Sequence, residues 1–172
     1  PNMYFLFMAM AVKMLRTNGE FVFITPRSWT SGTYFKSFRS YFMDSMDIQR
    51  VHLFESRNSV FKGKEGHSDD ILQETMITYG KKSKSQSRNI IIAISQNAQD
   101  LGKVKEIQVE SGNCLPEGKE HYFVLPSDEE DLKVLNYMKK MPNTVEEAGF
   151  RFKTGQVVEF RNKEYIAWEK KE

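Results

Sequence analysis

The stretch Gly19-Glu20-Phe21-Val22-Phe23-Ile24-Thr25-Pro26-Arg27-Ser28-Trp29 constrains this chain more than any other. Phe21 to Thr25 are aromatic or β-branched and carry no charge. A short run of that kind predicts a strand covered on both faces, as in a parallel sheet. Gly19 is expected to stop the preceding helix, and Pro26 to end the strand. With helices expected before and after it, the unit is a slice of a doubly wound α/β sheet. In such sheets ligands bind beyond the carboxyl ends of the strands, so residues 26–33 are a candidate working face.

Other features exclude several classes. The 172 residues suffice for one domain and the beginning of another. A net charge of +2 imposes no global field, so basic clusters must be judged one by one. The single cysteine, Cys114, leaves neither a disulfide framework nor a cysteine-based zinc site, which fits a reducing cytoplasm. The apolar run Met3 to Val12 is ten residues long. A membrane span needs roughly 18, and a buried helix is the simpler reading. The chain starts at Pro1 with no charged leader and no cleavage signal, and an apolar helix begins almost at once. That start is expected of a fragment whose upstream sheet is missing.

The rest of the chain divides as follows. Asn2 is a candidate cap for a helix from Met3 to Arg16, apolar nearly all round, as in a helix sandwiched within a core. Thr33 opens a second helix, with Tyr34, Phe35, Phe38, Tyr41 and Phe42 at helical spacing. Arg39 interrupts that face, either anchoring to a carboxylate or strand end or standing in solvent. Strands are expected over 48–54 and 71–79, joined by a long polar loop. That loop is too polar and glycine-rich for a helical crossover, so the two strands should be antiparallel neighbours. Residues 80–88 are basic and serine-rich and read as a flexible linker. Strands over 89–95 and 104–110 form a candidate hairpin, and Tyr122 to Leu125 a short extended piece. Pro126-Ser127-Asp128-Glu129-Glu130 starts a helix running to about Met141, and Thr144 starts a shorter one.

Few residues offer chemistry by themselves. His52, His67 and His121 are scattered and predict no metal centre. Ser28 follows a strand but has no nucleophile elbow, and no phosphate-binding glycine loop is present. The loop Ser56 to Gly66 carries Val60-Phe61 among charges, beside Lys62 and Lys64. Phe61 either plugs into the core or offers a stacking surface to a planar ligand such as an unpaired base, and the lysines favour an anionic partner. Near the end, Arg151, Lys153, Arg161 and Lys163 surround a Thr154-Gly155 turn. That mixture suits a nucleic-acid surface or a charged β-hairpin.

The ordered segments resemble the carboxyl-terminal part of the catalytic domain of adenine-specific DNA methyltransferases of restriction–modification systems, the TaqI-like and type IIG group. The matching residues are Asn2-x-Tyr4, Leu15-x-x-x-Gly19-x-Phe21-Val22-Phe23-Ile24-Thr25-Pro26-x-Ser28-Trp29, Phe38-Arg39, Leu53-Phe54, Val60-Phe61, Glu74-Thr75-Met76-Ile77 and Thr154-Gly155-x-Val157-Val158-x-Phe160-Arg161.

The resemblance implies the distal part of a Rossmann-like methyltransferase sheet with an antiparallel last strand, followed by a small α+β extension. It divides the chain into a distal catalytic half (1–82), an extension (83–143) and the start of a DNA target-recognition region (144–172). It implies methyl transfer from S-adenosylmethionine to the exocyclic amine of an adenine flipped out of double-stranded DNA, because that nitrogen is buried in the duplex stack. Phe61 matches the aromatic that stacks on the extruded base. Arg27, Ser28 and Trp29 are candidates to line the site; Lys62, Lys64, Arg151, Lys153 and Arg161 are candidates for phosphate contact.

The family's cofactor glycine motif and its Asn-Pro-Pro-Tyr motif would lie upstream of Pro1. The chain alone is therefore not expected to bind cofactor or to methylate. The expected partners are double-stranded DNA and the rest of a parent chain, not a membrane. An exposed sheet edge would favour self-association. The alternatives are a non-catalytic DNA-binding or specificity module, and a methyltransferase acting on RNA or protein.

Overall fold

A computed structural model of the chain describes residues 3–56, 74–97, 100 and 104–152. The chain forms two compact units, Pro1–Tyr137 and Met138–Glu172.

The first unit is mixed α/β. Helix α1 (Tyr4–Met14) leads into strand β1 (Glu20–Pro26). Two 3-10 turns (Arg27–Thr30 and Thr33–Phe35) lead to helix α2 (Lys36–Ser45). Strands β2 (Met46–Phe54), β3 (Thr75–Lys82), β4 (Asn89–Ser95) and β5 (Lys105–Glu110) follow. After them come a single turn of helix, α3 (Ser111–Cys114), and helix α4 (Glu129–Met138). The five strands make one sheet in the order β1-β3-β2-β4-β5.

Strand β3 lies between β1 and β2 and is antiparallel to both. The antiparallel pairing expected of β2 and β3 is present, and β1 and β2 consequently run the same way. Strand β4 pairs parallel to β2 and antiparallel to β5. The carboxyl ends of β1, β2 and β4 therefore share one rim, where Pro26 sits beside Thr75, Leu53 beside Met76 and Phe54 beside Ser95.

The core is apolar and ring-rich. Phe38 and Phe42 of α2, four residues apart on one helical face, pack edge-on to Trp29 at ring separations of 5.8 and 5.5 Å. Helix α1 joins through Phe5, edge-on to Phe35 and Phe38 at 5.4 and 5.7 Å. The expected helical stripe is thus only partly inward: Phe35, Phe38 and Phe42 are buried, while Tyr34 and Tyr41 are exposed.

Two expectations of full coverage fail. In α1 only Met8 and Val12 are buried, and Leu6, Phe7, Met10 and Met14 face outward. In β1 the buried residues are Phe21 and Thr25, whereas Val22 and Ile24 are 65% and 48% exposed. The reason is position: β1 ends the strand order, and α1 packs with α2 along one side only. The cap of α1 also differs from expectation. Met3 occupies it without a side-chain bond, and Asn2 lies outside the described residues. The helix gives way at Leu15, and Asn18 makes the left-handed turn with φ 61°.

The serine-rich stretch is not a flexible linker. Gly80, Lys81 and Lys82 belong to β3. The amide of Ser83 donates to the carbonyl of Ser45 at 3.0 Å, and Gln86 Nε2 donates to the carbonyls of Met43 and Met46 at 2.9 Å each. Buried Asp47 accepts the amide and hydroxyl of Ser87 at 2.6 and 2.7 Å. Helix α4 starts as expected, with Asp128 accepting the amide of Asp131 at 2.9 Å. None of its residues is fully buried, and Tyr137 and Met138 are exposed rather than inward.

In the second unit, the described residues hold a capping box: Thr144 donates its amide to Glu147 at 2.7 Å, and Glu147 returns its amide to the Thr144 hydroxyl at 3.2 Å. A turn over 145–149 stands where a short helix is expected. Among the described residues, no helix is long and apolar enough to cross a membrane.

Candidate functional site

The rim at the carboxyl end of β1, beside the entry to β3, carries a cavity of about 580 Å3. Two segments far apart in sequence wall it. The first is 27–31, the 3-10 turn directly after β1; the second is the strap 122–125. Glu74, at the entry to β3, closes the space between them.

The first wall follows from local sequence. Pro26 ends the ladder, and the chain turns at once into Arg27–Thr30. The amide of Arg27 still donates to the carbonyl of Glu74 at 2.8 Å, and its guanidinium stands 3.9 Å from the Glu74 carboxylate. Ser28 and Tyr4 share a hydroxyl–hydroxyl bond of 3.0 Å. Burial pushes the Tyr4 phenol above its ordinary value, and the bond to Ser28 partly offsets that. Trp29 turns the other way. It is wholly buried, donates Nε1–H to the Thr25 hydroxyl at 3.2 Å, and underlies the turn instead of lining the cavity.

The second wall has no regular structure and is held by side chains. Arg39 is completely buried in α2, yet among the described residues its hydrogen bonds go to backbone carbonyls. Nε donates to Glu120 and His121 at 3.2 and 3.0 Å, and Nη2 to Glu120 at 2.8 Å. Nη1 donates to Trp29 and Gly32 at 3.0 and 2.6 Å. One guanidinium thus ties the two walls together. Lys36 adds a 2.6 Å ion pair to the Glu120 carboxylate, which holds that acid below its ordinary range. The left-handed backbone of His121, φ 50°, turns the strap at the point where its carbonyls meet Arg39. Beyond the turn, Phe123 donates its amide to Thr30 at 2.9 Å and lays its ring against Trp29 at 5.7 Å. Tyr122 is left 42% exposed, with the Arg39 guanidinium 5.3 Å above its ring centre.

Of the residues singled out from sequence, Arg27 and Ser28 line this cavity and Trp29 supports it. Phe61, Lys62 and Lys64 lie outside the described residues, as do Lys153 and Arg161. The chain leaves the sheet at Phe54 and re-enters at Thr75, both on the rim that bears the cavity. Arg151 is exposed in the second unit. Sequence reasoning missed Tyr122 and left Arg39 between two readings. The available signal was an arginine in the middle of an apolar helical face with no acid one turn away. Among the described residues, no cluster of histidine, cysteine and carboxylate could hold a metal ion.

Comparison with known proteins agrees with the resemblance. Residues 1–61 match the family model described as Eco57I restriction-modification methylase. The chain is 31% identical over 169 residues to the Type II methyltransferase M.PstI of Providencia stuartii, a match covering 98% of this chain and 32% of that protein. It is 32% identical over 169 residues to the Type II methyltransferase M.BsuBI of Bacillus subtilis, covering 96% of this chain and 32% of that protein. Among solved structures, the Type I restriction enzyme EcoKI M protein is similar in fold at a TM-score of 0.51 and 8% identity, covering 84% of this chain and 45% of that one. The chain spans about a third of the length of the curated relatives it matches. Along nearly its whole length the chain is similar to restriction–modification methylases, and it aligns with about one third of a type II methyltransferase.

Proposed function

We propose that this chain forms part of a DNA adenine methyltransferase of a restriction–modification system, and that its rim supplies one side of the pocket for an extruded base. The carrying observation is the convergence on one rim. The carboxyl ends of β1 and β2, the cavity, and both ends of the connection bearing Phe61 meet there. Open α/β sheets use that edge for ligands.

In this reading Phe61 stacks on the flipped adenine, and Arg27 and Ser28 line its approach. Trp29 fixes the turn that presents them, through its bond to Thr25 and its packing on Phe38 and Phe42. Lys62, Lys64, Arg151, Lys153 and Arg161 meet phosphates of double-stranded DNA, a sequence-independent contact that salt weakens. S-adenosylmethionine supplies the electrophilic methyl group. Its glycine-rich cradle has no counterpart in this sequence, so its binding and the Asn-Pro-Pro-Tyr contacts to the target amine are assigned to the rest of a parent chain. The bare flank of β1 and the outward apolar face of α1 are the surface on which that part docks. A host DNA substrate sets the protein in the cytoplasm.

The test is methyl transfer from labelled S-adenosylmethionine to duplex DNA by the chain extended through its upstream sequence, compared with Phe61→Ala. Label on adenine, a loss on Phe61→Ala, and partial recovery when the partner base is removed are expected. Label with no effect of the substitution keeps the enzyme and discards Phe61 as the stacking residue. Absence of label on any DNA refutes the reading in favour of a DNA-binding module, whose duplex affinity would then be followed against salt.

A further inference from the structure

We propose that Tyr4 is a positioning residue for the site on this rim: its hydroxyl fixes the Ser28 side chain, and through it sets the turn 27–31 for methyl transfer. The proposal deepens the DNA methyltransferase reading and rests on it for the reaction. Tyr4 itself does not line the cavity and acts on it through Ser28.

The first argument is which partner controls the bond. Tyr4 opens α1, where no side chain caps the helix and no acid stands in the first turn. What holds Tyr4 is ring packing. Its centroid lies 5.8 Å from that of buried Phe35 and 6.2 Å from that of Phe5. A ring packed in this way leaves its hydroxyl little freedom. Ser28 is exposed, and a serine side chain has three staggered positions open to it. The 3.0 Å bond therefore selects a position for Ser28 and not for Tyr4. Burial raises the Tyr4 pKa, against a smaller lowering from Ser28, so the phenol stays protonated at neutral pH.

The second argument is where the other ties to the turn fall. The Arg27 amide donates to the Glu74 carbonyl at 2.8 Å, Arg39 Nη1 to the Trp29 carbonyl at 3.0 Å, and Trp29 Nε1 to the Thr25 hydroxyl at 3.2 Å. These hold the backbone or the buried underside of the turn. On the cavity side, the Arg27–Glu74 ion pair is long at 3.9 Å. The Tyr4 bond is a close tie to a side chain that borders the cavity. Behind Ser28 the chain closes tightly. The Gly32 amide donates to the Ser28 carbonyl at 2.9 Å, and a Cβ at Gly32 would stand 2.8 Å from the same oxygen. A shift of Ser28 consequently moves the turn as a unit. One bond between groups open to water adds little to stability, whereas a misplacement of about 1 Å near a reacting centre can cost ~10²-fold in rate. The tie is worth more to turnover than to folding.

The test compares Tyr4→Phe, Ser28→Ala and the double variant in methyl transfer by the chain extended through its upstream sequence. Tyr4→Phe keeps the ring and removes the hydroxyl. It should lower kcat roughly tenfold and leave KM for duplex DNA within about twofold, because phosphate contacts supply most of the DNA affinity. In the Ser28→Ala background, Tyr4→Phe should have no further effect. The urea midpoint of each variant should stay within about 0.5 M of the unsubstituted chain. In the 172-residue chain, Tyr4→Phe should speed hydrogen exchange at the Gly32 amide and leave β2 and β4 unchanged. An unchanged kcat, a change in KM alone, losses that add in the double variant, or a collapsed urea midpoint would each overturn the positioning role. Absence of transfer from the unsubstituted extended chain defeats the enzyme reading. Exchange at Gly32 then decides the tie by itself, and an unchanged rate there overturns it.

Discussion

Arg39 reaches the carbonyl oxygen of Glu120 with two of its nitrogens, Nε at 3.2 Å and Nη2 at 2.8 Å, across 81 residues of chain. No local pattern brings these residues together. The contact exists because a planar, forked cation can serve several carbonyls at once, and here it serves four.

Arg39→Lys should therefore not be conservative. Lysine keeps the charge but carries a single nitrogen, so most of these carbonyls lose their donor. The expected loss of stability is about 2–4 kcal/mol in urea denaturation. Hydrogen exchange should find the amides of Phe123 and Val124 opening before those of β2 and β3. Uniform loosening of the whole sheet would show that Arg39 supports the core generally and not the strap.

Gly80→Ala tests the middle of the sheet. A Cβ at this position would stand 2.2 Å from the Asp47 carbonyl oxygen and 2.9 Å from a ring carbon of Phe21. Strand β3 has neighbours on both sides at Gly80, namely Phe21 and Ile48, so it has nowhere to retreat. A loss of about 3 kcal/mol is expected in thermal or urea unfolding. A change within about 0.5 kcal/mol would mean that the two strands separate at that point without cost.

His52 gives the chain a pH dependence with a definite sign. Its Nε2 shares a 2.8 Å bond with the Ser95 hydroxyl. Burial, and then the neighbouring Arg50, hold its pKa below 6.5, with Glu106 opposing. A depressed pKa means that the unfolded chain binds the proton first. Its stabilising share is complete above about pH 6.5 and is lost as pH falls through the folded-state pKa. Denaturation midpoints measured from pH 7.5 down to 5 should fall, and His52→Gln should flatten the decline. A variant with the same slope as the wild type would assign the dependence to other groups.

The bare flank of β1 should make the isolated chain self-associate. Val22 and Ile24 point to one side of the sheet, and β1 ends the strand order. Val22→Lys should reduce the concentration dependence of the sedimentation coefficient while leaving stability within about 0.5 kcal/mol, since the side chain is 65% exposed. Persistent association in that variant would move the interface elsewhere.

What could be read from sequence was whatever depends on near neighbours. Strand β4 follows from an unbroken aliphatic run, and β5 from its alternation beside it. The antiparallel pairing of β2 with β3 follows from a connection too polar to be a crossover helix. The position of Arg27 and Ser28 at a cavity follows from the rule for strand ends. Other features depend on distant partners and were not legible. The end of β3 was hidden because Gly80-Lys81-Lys82 has the composition of a linker, and only the close approach of Asp47 explains the glycine. Residues 83–88 are ordered by bonds to Asp47, Ser45, Met43 and Met46, which composition does not weigh. The uniform apolarity of α1 and β1 reports an affinity for cover but not which side is covered. Tyr122 and Arg39 belong to one structure only after the sheet has formed.

The place of β3 also governs the order in which the sheet can assemble. Strands β1 and β2 are complete by residue 54, run in the same direction, and cannot pair directly in the native register, because the strand between them begins only at residue 75. A chain emerging from the ribosome must hold that slot vacant across the intervening residues and then admit β3 between two waiting edges. Such non-local closure is intrinsically slow. While the slot is open, two unpaired strand edges face each other across it, so the interval before β3 arrives is when the nascent chain is most exposed to pairing with the wrong strand.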